Sequence, residues 1–137
     1  MVQFLAGGKG EGKSKKLIEL ANQQLKTTDG HLVFIDDDRR HSVDLQIGIR
    51  FVETGKGSLS NYREFIGFVL GILSQNNDIK TIYVDGLTNI LEKLDAADLV
   101  KLTKRLEVLS SENDVDFVVC FNWAKADLPE EVQRLHI

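Results

Sequence analysis

The stretch GGKGEGKS, residues 7 to 14, decides how this chain is expected to fold. Four of its residues fit the pattern G-x-x-x-x-G-K-[ST] without a gap: Gly7, Gly12, Lys13 and Ser14. Glycine adopts left-handed backbone conformations without strain, so successive N–H groups of such a loop converge on one anion. An apolar run at Val2–Ala6 precedes the loop, and a helical pattern follows it at Lys13–Lys26. Strand, glycine loop and helix in this order predict a phosphate-binding site.

Side chains and backbone N–H groups of the loop are both expected to contact the nucleotide. Lys13 is expected to reach the β- and γ-phosphates, and the hydroxyl of Ser14 to ligate Mg²⁺. The helix that begins near Lys13 adds unpaired N–H groups and the positive end of its dipole. Lys9 either faces solvent or supplies a second cation to the phosphates. The expected nucleotide-binding residues are contiguous: Gly7, Gly8, Lys9, Gly10, Glu11, Gly12, Lys13, Ser14 and Lys15.

Apolar runs and helical periodicity alternate along the rest of the chain. Five strands are predicted, at Val2–Ala6, His31–Asp36, Ile47–Glu53, Thr81–Asp85 and Asp116–Asn122. The predicted helices are Lys13–Lys26, Tyr62–Gln75, Ala96–Ser111 and a short one near Leu128. Apolar strands that alternate with helices are typical of a mostly parallel sheet covered on both faces. The prediction is an α/β fold, a three-layer sandwich, that forms one domain over residues 1–137.

Several polar residues follow directly on predicted strands. In a parallel sheet the carboxyl ends of the strands share one edge, and ligands bind beyond it. The residues expected there are Gly7, Asp36, Asp37, Asp38, Glu53, Asp85 and Asn122. Asp85 closes the apolar run TIYVD, which has the form of a Walker B aspartate and predicts a Mg²⁺ ligand opposite Ser14. The alternative is an ordinary aspartate at the start of a turn with Gly86.

The chain resembles the RecA-like P-loop ATPases, which include recombinases, clock ATPases and replicative helicases. Four stretches carry the resemblance, in the family's order: AGGKGEGKS, VFIDDDRRH, TIYVDGLTN and FVVCFN. It implies the strand order 3-2-4-5-1 and a site for Mg²⁺ and ATP. Asp38 matches the position of the family's glutamate that activates the attacking water, and Asn122 matches the polar residue that senses the γ-phosphate.

One departure from the family concerns the reaction itself. Asp38 is one methylene shorter than glutamate, and a displacement of about 1 Å can cost about a hundredfold in rate. Hydrolysis is therefore expected to be weak, or Glu53 serves instead. A looser similarity links the chain to short bacterial proteins labelled twitching-motility ATPases. Because that motor family's phosphate loop and acidic boxes are missing, the label indicates little about action.

Three functions compete at this stage. The first is a Mg²⁺-dependent ATP-binding protein with weak ATP hydrolysis that acts as a switch or as a component of an assembly. The second is a small-molecule or nucleoside kinase, in which Asp36, Asp37 or Asp38 is the base towards a substrate hydroxyl. The third is a nucleotide sensor without hydrolysis. Asp36, Asp37 and Asp38 form an acidic triplet, which is followed by Arg39, Arg40 and His41. These three basic residues either pair with the acidic triplet or supply an arginine finger.

Association is expected from the position of the first strand. With no strand predicted after Asn122, Val2–Ala6 lies at an uncovered edge of the sheet, and such edges are usually covered. A homo-oligomer or a protein partner that packs there would cover it. Trp123 is expected either to stack on a nucleotide base or to pack in the core.

Composition limits the other partners. A net charge of −4 argues against general nucleic-acid binding, which needs a surplus of cations. The single cysteine, Cys120, cannot form an internal disulfide and favours a cytoplasmic location. The most apolar stretch, Phe65–Leu73, has about half of the ~20 residues that span a bilayer, so a buried helix and no membrane insertion are expected. The three histidines show no zinc-ligand spacing with Cys120.

Overall fold

The computed structural model describes all residues from 1 to 137. Its strands are β1 (Val2–Ala6), β2 (His31–Asp36), β3 (Arg50–Glu53), β4 (Ile79–Val84) and β5 (Asp116–Phe121). Its helices are α1 (Lys13–Leu25), α2 (Tyr62–Gln75), α3 (Leu87–Ile90), α4 (Ala96–Asn113) and α5 (Glu130–Gln133). Two 3₁₀ turns lie at Ser42–Asp44 and Lys125–Asp127.

All five strands form one parallel sheet in the order β1-β5-β4-β2-β3. Read from the other edge, this order is 3-2-4-5-1. The prediction of an α/β fold with a five-stranded parallel sheet is confirmed, and β5 separates the strand before the phosphate loop from β4. The carboxyl ends of β1, β2, β4 and β5 therefore share one edge of the sheet.

Side chains divide between the two faces of the sheet because successive residues of a strand point to opposite sides. On β2, Val33 and Ile35 belong to a core of 23 buried residues that also includes side chains of α2 and α4. Phe34 faces a core of 10 residues under α1, where its ring lies 6.4 Å from that of Phe51 and 6.2 Å from that of Tyr83. Helices thus cover both faces, as in a three-layer sandwich.

Two predictions differ from the structure, one in the start of a strand and one in the burial of a helix. β3 begins at Arg50 and not at Ile47, whose side chain is fully exposed because a turn precedes the strand: the N–H of Ile49 donates to the carbonyl of Gln46. Helix α2 is buried along one face only, and Leu70 on its outer face is 42% exposed. None of the helices has both the length and the apolar character needed to cross a membrane.

The expected uncovered edge at β1 is also corrected. The C-terminal segment runs beside β1, where the N–H of Phe4 donates to the carbonyl of Leu135 (3.0 Å) and the N–H of Ile137 donates to the carbonyl of Phe4 (2.9 Å). His136 adds a side-chain contact, since its Nε2 lies 3.0 Å from the backbone nitrogen of Ala6. The sequence did not show this pairing because the segment is too short to have a strand pattern. The edge without a partner strand is that of β3.

Candidate functional site

The phosphate loop connects β1 to α1 and has the backbone that the motif requires. Gly10 and Gly12 have φ angles of 84° and 81°, in the left-handed region that favours glycine. Gly12 precedes the first residue of α1, and no side chain caps this end of the helix. The first N–H groups of α1 are therefore available to an anion.

Two side chains of the loop fold back over it. Lys13 Nζ donates to the carbonyl oxygen of Gly8 at 2.7 Å, so its ammonium group lies on the loop itself. The carboxylate of Glu11 covers the backbone of Gly7 and Gly8, and a Cβ added at Gly8 would meet its Oε1 at 2.9 Å. The ammonium group of Lys13 thus lies against the backbone of the loop, at the start of α1.

A cavity of about 440 Å³ opens at this edge of the sheet. The loop and α1 line one side with Lys9, Gly10, Gly12, Lys13, Ser14 and Lys15. The other strand ends and loops line the rest with Asp36, Asp37, Arg40, His41, Asp85, Gly86, Asn89, Cys120, Phe121 and Asn122. The structure thus brings together most of the predicted site residues, but Gly7, Gly8, Glu11 and Asp38 lie outside the lining.

Three buried carboxylates face the cavity. Asp36, Asp37 and Asp85 are only 3–5% exposed, and none of them forms an ion pair with a lysine or an arginine. Burial, a hydrogen bond with Asp37 and the charge of Asp85 raise the pKa of Asp36 to about 8. This group of carboxylates is therefore a place where added positive charge would be stabilised.

Gly86 allows the carboxylates to come this close. Its φ of 67° lies in the left-handed region, and a Cβ at this position would meet Asp37 Oδ1 at 2.7 Å and Asp36 Oδ1 at 3.4 Å. The short helix α3 then begins at Leu87 and brings Asn89 to the cavity. Neither α3 nor Asn89 was predicted, because four residues are too few to show helical periodicity.

Asp38 and Glu53, the two candidate bases, lie in ion pairs. Asp38 Oδ2 is 3.0 Å from Nε of Arg40, and Glu53 Oε1 is 2.8 Å from Nε of Arg39. The N–H of Arg40 also donates to Asp38, and this bond together with the guanidinium lowers the pKa of the carboxyl group. Both bases therefore lie in ion pairs outside the cavity lining, and only Arg40 reaches into it.

The end of β5 supplies the remaining lining. Asn122 is exposed at the cavity, and its backbone N–H donates to Thr88 Oγ1 at 3.3 Å. Cys120 is a buried free thiol whose pKa is raised by burial and by the nearby Asp85, so it stays protonated. Trp123 packs edge-on against Phe121 at 6.1 Å and borders the larger core, which supports the core interpretation.

No group of three or more histidine, cysteine, aspartate or glutamate side chains has an arrangement that could hold a metal ion alone. A metal at this cavity would therefore need ligands from elsewhere, such as a hydroxyl group, water or a phosphate. Mg²⁺ is usually held in that way, by one or two carboxylates together with substrate phosphates.

Comparison with known proteins adds no family. No protein-family model matches the chain, and no curated protein was found to be similar to it. The resemblance to RecA-like P-loop ATPases accordingly rests on the motifs of the sequence alone.

Replacing Gly86 is expected to disturb the carboxylate group and lower stability. Gly86→Ala should reduce the free energy of unfolding by about 1–3 kcal/mol, because alanine is strained at this φ and its Cβ overlaps Asp37. Urea denaturation measures the change. Gly67→Ala, on the exposed face of α2 where a Cβ meets nothing within 4 Å, is the control and should stabilise slightly. Equal effects of the two variants would contradict this role.

The raised pKa of Asp36 predicts how stability depends on pH when Mg²⁺ is absent. Between pH 3.8, the ordinary pKa of an aspartate, and about pH 8, the folded protein keeps a proton that the unfolded chain loses. The free energy of unfolding should therefore fall as the pH rises through this range, and Asp36→Asn should remove that part of the fall. Urea denaturation at several pH values tests this, with the exposed Asp29→Asn as control. A profile for Asp36→Asn parallel to that of the wild type would refute it.

Proposed function

We propose that the protein is a Mg²⁺-dependent ATP-binding protein of the RecA-like type, with weak ATP hydrolysis, and that it acts as a switch or as a component of an assembly. One observation carries the proposal. A glycine loop with lysines and an uncapped helix end faces a group of buried carboxylates across a single cavity. A triphosphate with its metal ion supplies the negative charge that the first side attracts and the positive charge that the second side lacks.

The loop side supports the phosphate part of the proposal. Lys9 in the loop and Lys13 and Lys15 in the first turn of α1 line the cavity, and no carboxylate forms an ion pair with any of them. The N–H groups at the start of α1 add donors without adding a side-chain acceptor. A phosphate chain would replace the Gly8 carbonyl as the partner of Lys13.

The opposite side supports the metal part. Ser14 and Asp85 both line the cavity, and their hydroxyl and carboxylate oxygens are the donors that Mg²⁺ prefers. The buried carboxylates have no cationic partner of their own, so the residues present fit a divalent ion. When bound, Mg²⁺ would neutralise charge on the β- and γ-phosphates.

The candidate bases support slow hydrolysis. In the reaction, a water oxygen forms a bond to the γ-phosphorus, the bond to the bridging oxygen breaks, and that oxygen leaves with ADP. Asp38 takes the proton of the attacking water in this proposal, but its carboxylate is engaged by Arg40. Glu53, the alternative, is engaged by Arg39. A carboxylate that must first leave an ion pair can accept the proton only in a fraction of the molecules, so the rate of hydrolysis is low.

The order of the strands supports the RecA-like assignment over a kinase. Because β5 lies between β1 and β4, Asn122 leaves the sheet between the phosphate loop and Asp85. In this proposal the side-chain amide of Asn122 donates to the γ-phosphate. No observation specifically favours the kinase, and association with a second copy or a protein partner stays a prediction.

Lys13→Ala is expected to abolish detectable ATP binding. The variant should stay folded, because Nζ bonds only to the exposed carbonyl of Gly8. Calorimetric titration with ATP and Mg²⁺ measures the affinity, and circular dichroism verifies the fold. Lys16→Ala, an exposed lysine on the same helix that does not line the cavity, is the control. Affinity close to that of the wild type in folded Lys13→Ala would rule out the assignment.

Asp38→Asn is expected to lower ATP turnover by about a hundredfold without weakening nucleotide binding, because it removes a general base that acts in the transition state. Phosphate release from saturated protein is the measurement, and Glu53→Gln is the companion variant. If Glu53→Gln loses turnover and Asp38→Asn keeps it, the base is Glu53. ATP consumption that depends on an added acceptor would instead indicate the kinase.

A further inference from the structure

A histidine side chain holds the end of β1 from outside the sheet. Ala6, the last residue of β1, lies directly before Gly7, the first glycine of the phosphate loop. Nε2 of His136 lies 3.0 Å from the backbone nitrogen of Ala6 and 3.1 Å from its carbonyl oxygen. His136 is 130 positions away from Ala6 in the sequence and does not line the cavity, so the proposed function gives it no role.

The backbone of Ala6 needs such a partner because β1 lies at an edge of the sheet. Alternate residues of an edge strand direct their N–H and C=O groups away from the sheet. Those of Phe4 are bonded by the backbone of the C-terminal segment, residues 135–137, at 3.0 and 2.9 Å. Ala6 lies two residues further along β1, and its groups therefore face the same side. There the segment offers the imidazole of His136 and not a backbone group.

The imidazole can bond to Ala6 in each of its forms. When Nε2 carries no proton, it accepts a hydrogen bond from the N–H of Ala6; when it carries one, it donates to the carbonyl oxygen. The two bonds exclude each other at any moment, but one of them is available in both tautomers and in the imidazolium. A backbone group that is shielded from water and has no partner is destabilising. His136 therefore stabilises this position of Ala6.

The phosphate loop depends on how its two ends are fixed. Gly10 and Gly12 have positive φ angles, and a glycine-rich backbone loses much conformational freedom when it becomes ordered. At its far end the loop enters α1, which is buried along one face. At its near end the loop leaves Ala6, which pairs with Phe121 of β5 on the inner side and contacts His136 on the outer side. Fixing both ends reduces the number of loop conformations before an anion binds, which favours binding.

The other contacts near the C-terminus do not reach the loop. Val132 is buried in the larger core, and Leu135 packs against that core. Arg134 lies 3.3 Å from Glu107 in an ion pair whose side chains are both exposed, and such pairs contribute little to stability. His136 is thus the residue that connects the C-terminal segment to the start of the phosphate loop.

We propose that His136 is a positioning residue for the phosphate loop and that it couples the C-terminal segment to nucleotide binding. This inference rests on the proposed nucleotide site and goes beyond it, because it gives a role to a segment outside the cavity. Such coupling is reciprocal: if the segment stabilises the loop that binds nucleotide, bound nucleotide stabilises the segment by the same amount. Nucleotide binding therefore strengthens the attachment of residues 135–137 to β1.

The first experiment compares two substitutions of the histidine. His136→Phe keeps a ring without nitrogen atoms, whereas the amide of His136→Gln can still donate and accept. Calorimetric titration with Mg²⁺ and an ATP analogue whose β,γ-bridging oxygen is replaced by an imido group measures the affinity. His136→Phe should weaken binding by up to about tenfold, which corresponds to the net free energy of one hydrogen bond, and His136→Gln should restore most of the affinity. Arg134→Ala, which removes the exposed ion pair, is the control and should bind like the wild type.

Amide hydrogen exchange followed by NMR tests the same contact without relying on affinity. In the absence of nucleotide, the N–H of Ala6 should exchange faster in His136→Phe, on the order of tenfold, than in the wild type or in His136→Gln. The ATP analogue with Mg²⁺ should slow exchange of the Ile137 N–H, which donates to the carbonyl of Phe4, in the wild type. In His136→Phe this effect of the analogue should be lost.

Several results would overturn the inference. It fails if His136→Phe binds the analogue as tightly as the wild type, if Arg134→Ala weakens binding as much as His136→Phe, or if His136→Gln and His136→Phe are equally impaired. It also fails if the analogue binds to the wild type and leaves exchange at Ile137 unchanged, a measurement that needs no variant to fold. If the wild type binds no nucleotide, the proposed function fails, whereas faster exchange at Ala6 in folded His136→Phe would still support the contact between His136 and β1.

Discussion

The parallel direction of all five strands is the constraint on which the rest of this structure depends. Parallel strands need a crossover connection, and here the chain returns through helices or a long loop after each strand. The carboxyl ends of the strands consequently lie at one edge, and the phosphate loop, the acidic triplet, Asp85 and Asn122 meet there. Residues more than 100 positions apart in the sequence therefore become neighbours because of the sheet topology, and not because of a direct interaction between their side chains.

Burying three carboxyl groups at the carboxyl edge of the sheet lowers the stability of the fold. Asp36, Asp37 and Asp85 are nearly inaccessible to water, and desolvation together with its acidic neighbours disfavours the charged form of Asp36. The left-handed Gly86 brings the carboxylates together, where any other residue would hold them apart. A chain shaped only for stability would gain from neutral residues at these positions. Buried carboxylates without a lysine or arginine partner are typical of a site that binds a cation.

Backbone hydrogen bonds from the loop after β3 fix the first part of the loop after β2, which carries Asp36 and Asp37. The N–H of Gly55 donates to the carbonyl of Asp37, and the N–H of Gly57 donates to that of Asn89, so the loop after β3 ties the loops after β2 and β4 together. Asp36 and Asp37 are therefore fixed to the sheet. Arg40 lies beyond this support on an exposed turn, and its contact with Asp38 is one of the few in the site that can change without moving a strand.

The sequence by itself determined the parts of the protein that depend on local pattern. The glycine spacing predicted the loop with left-handed glycines before α1, and apolar runs predicted β1, α2 and the alternation of strands and helices, because short-range periodicity and backbone freedom are properties of neighbouring residues. The parallel arrangement of the predicted strands placed Asp36, Asp85 and Asn122 at a common edge, since each of them ends or follows a strand.

Only the tertiary structure decided which side chains turn into the cavity. Three consecutive aspartates look alike in sequence, yet Asp36 and Asp37 are buried at the cavity while Asp38 turns outward to Arg40, because a loop has no period that assigns its side chains to a face. The C-terminal segment covers β1 through two backbone hydrogen bonds that carry no sequence signal. Exposure of Ile47 likewise follows from a turn at Gln46 and not from the apolar character of the side chain. In each case the deciding interaction joins residues that local pattern does not relate.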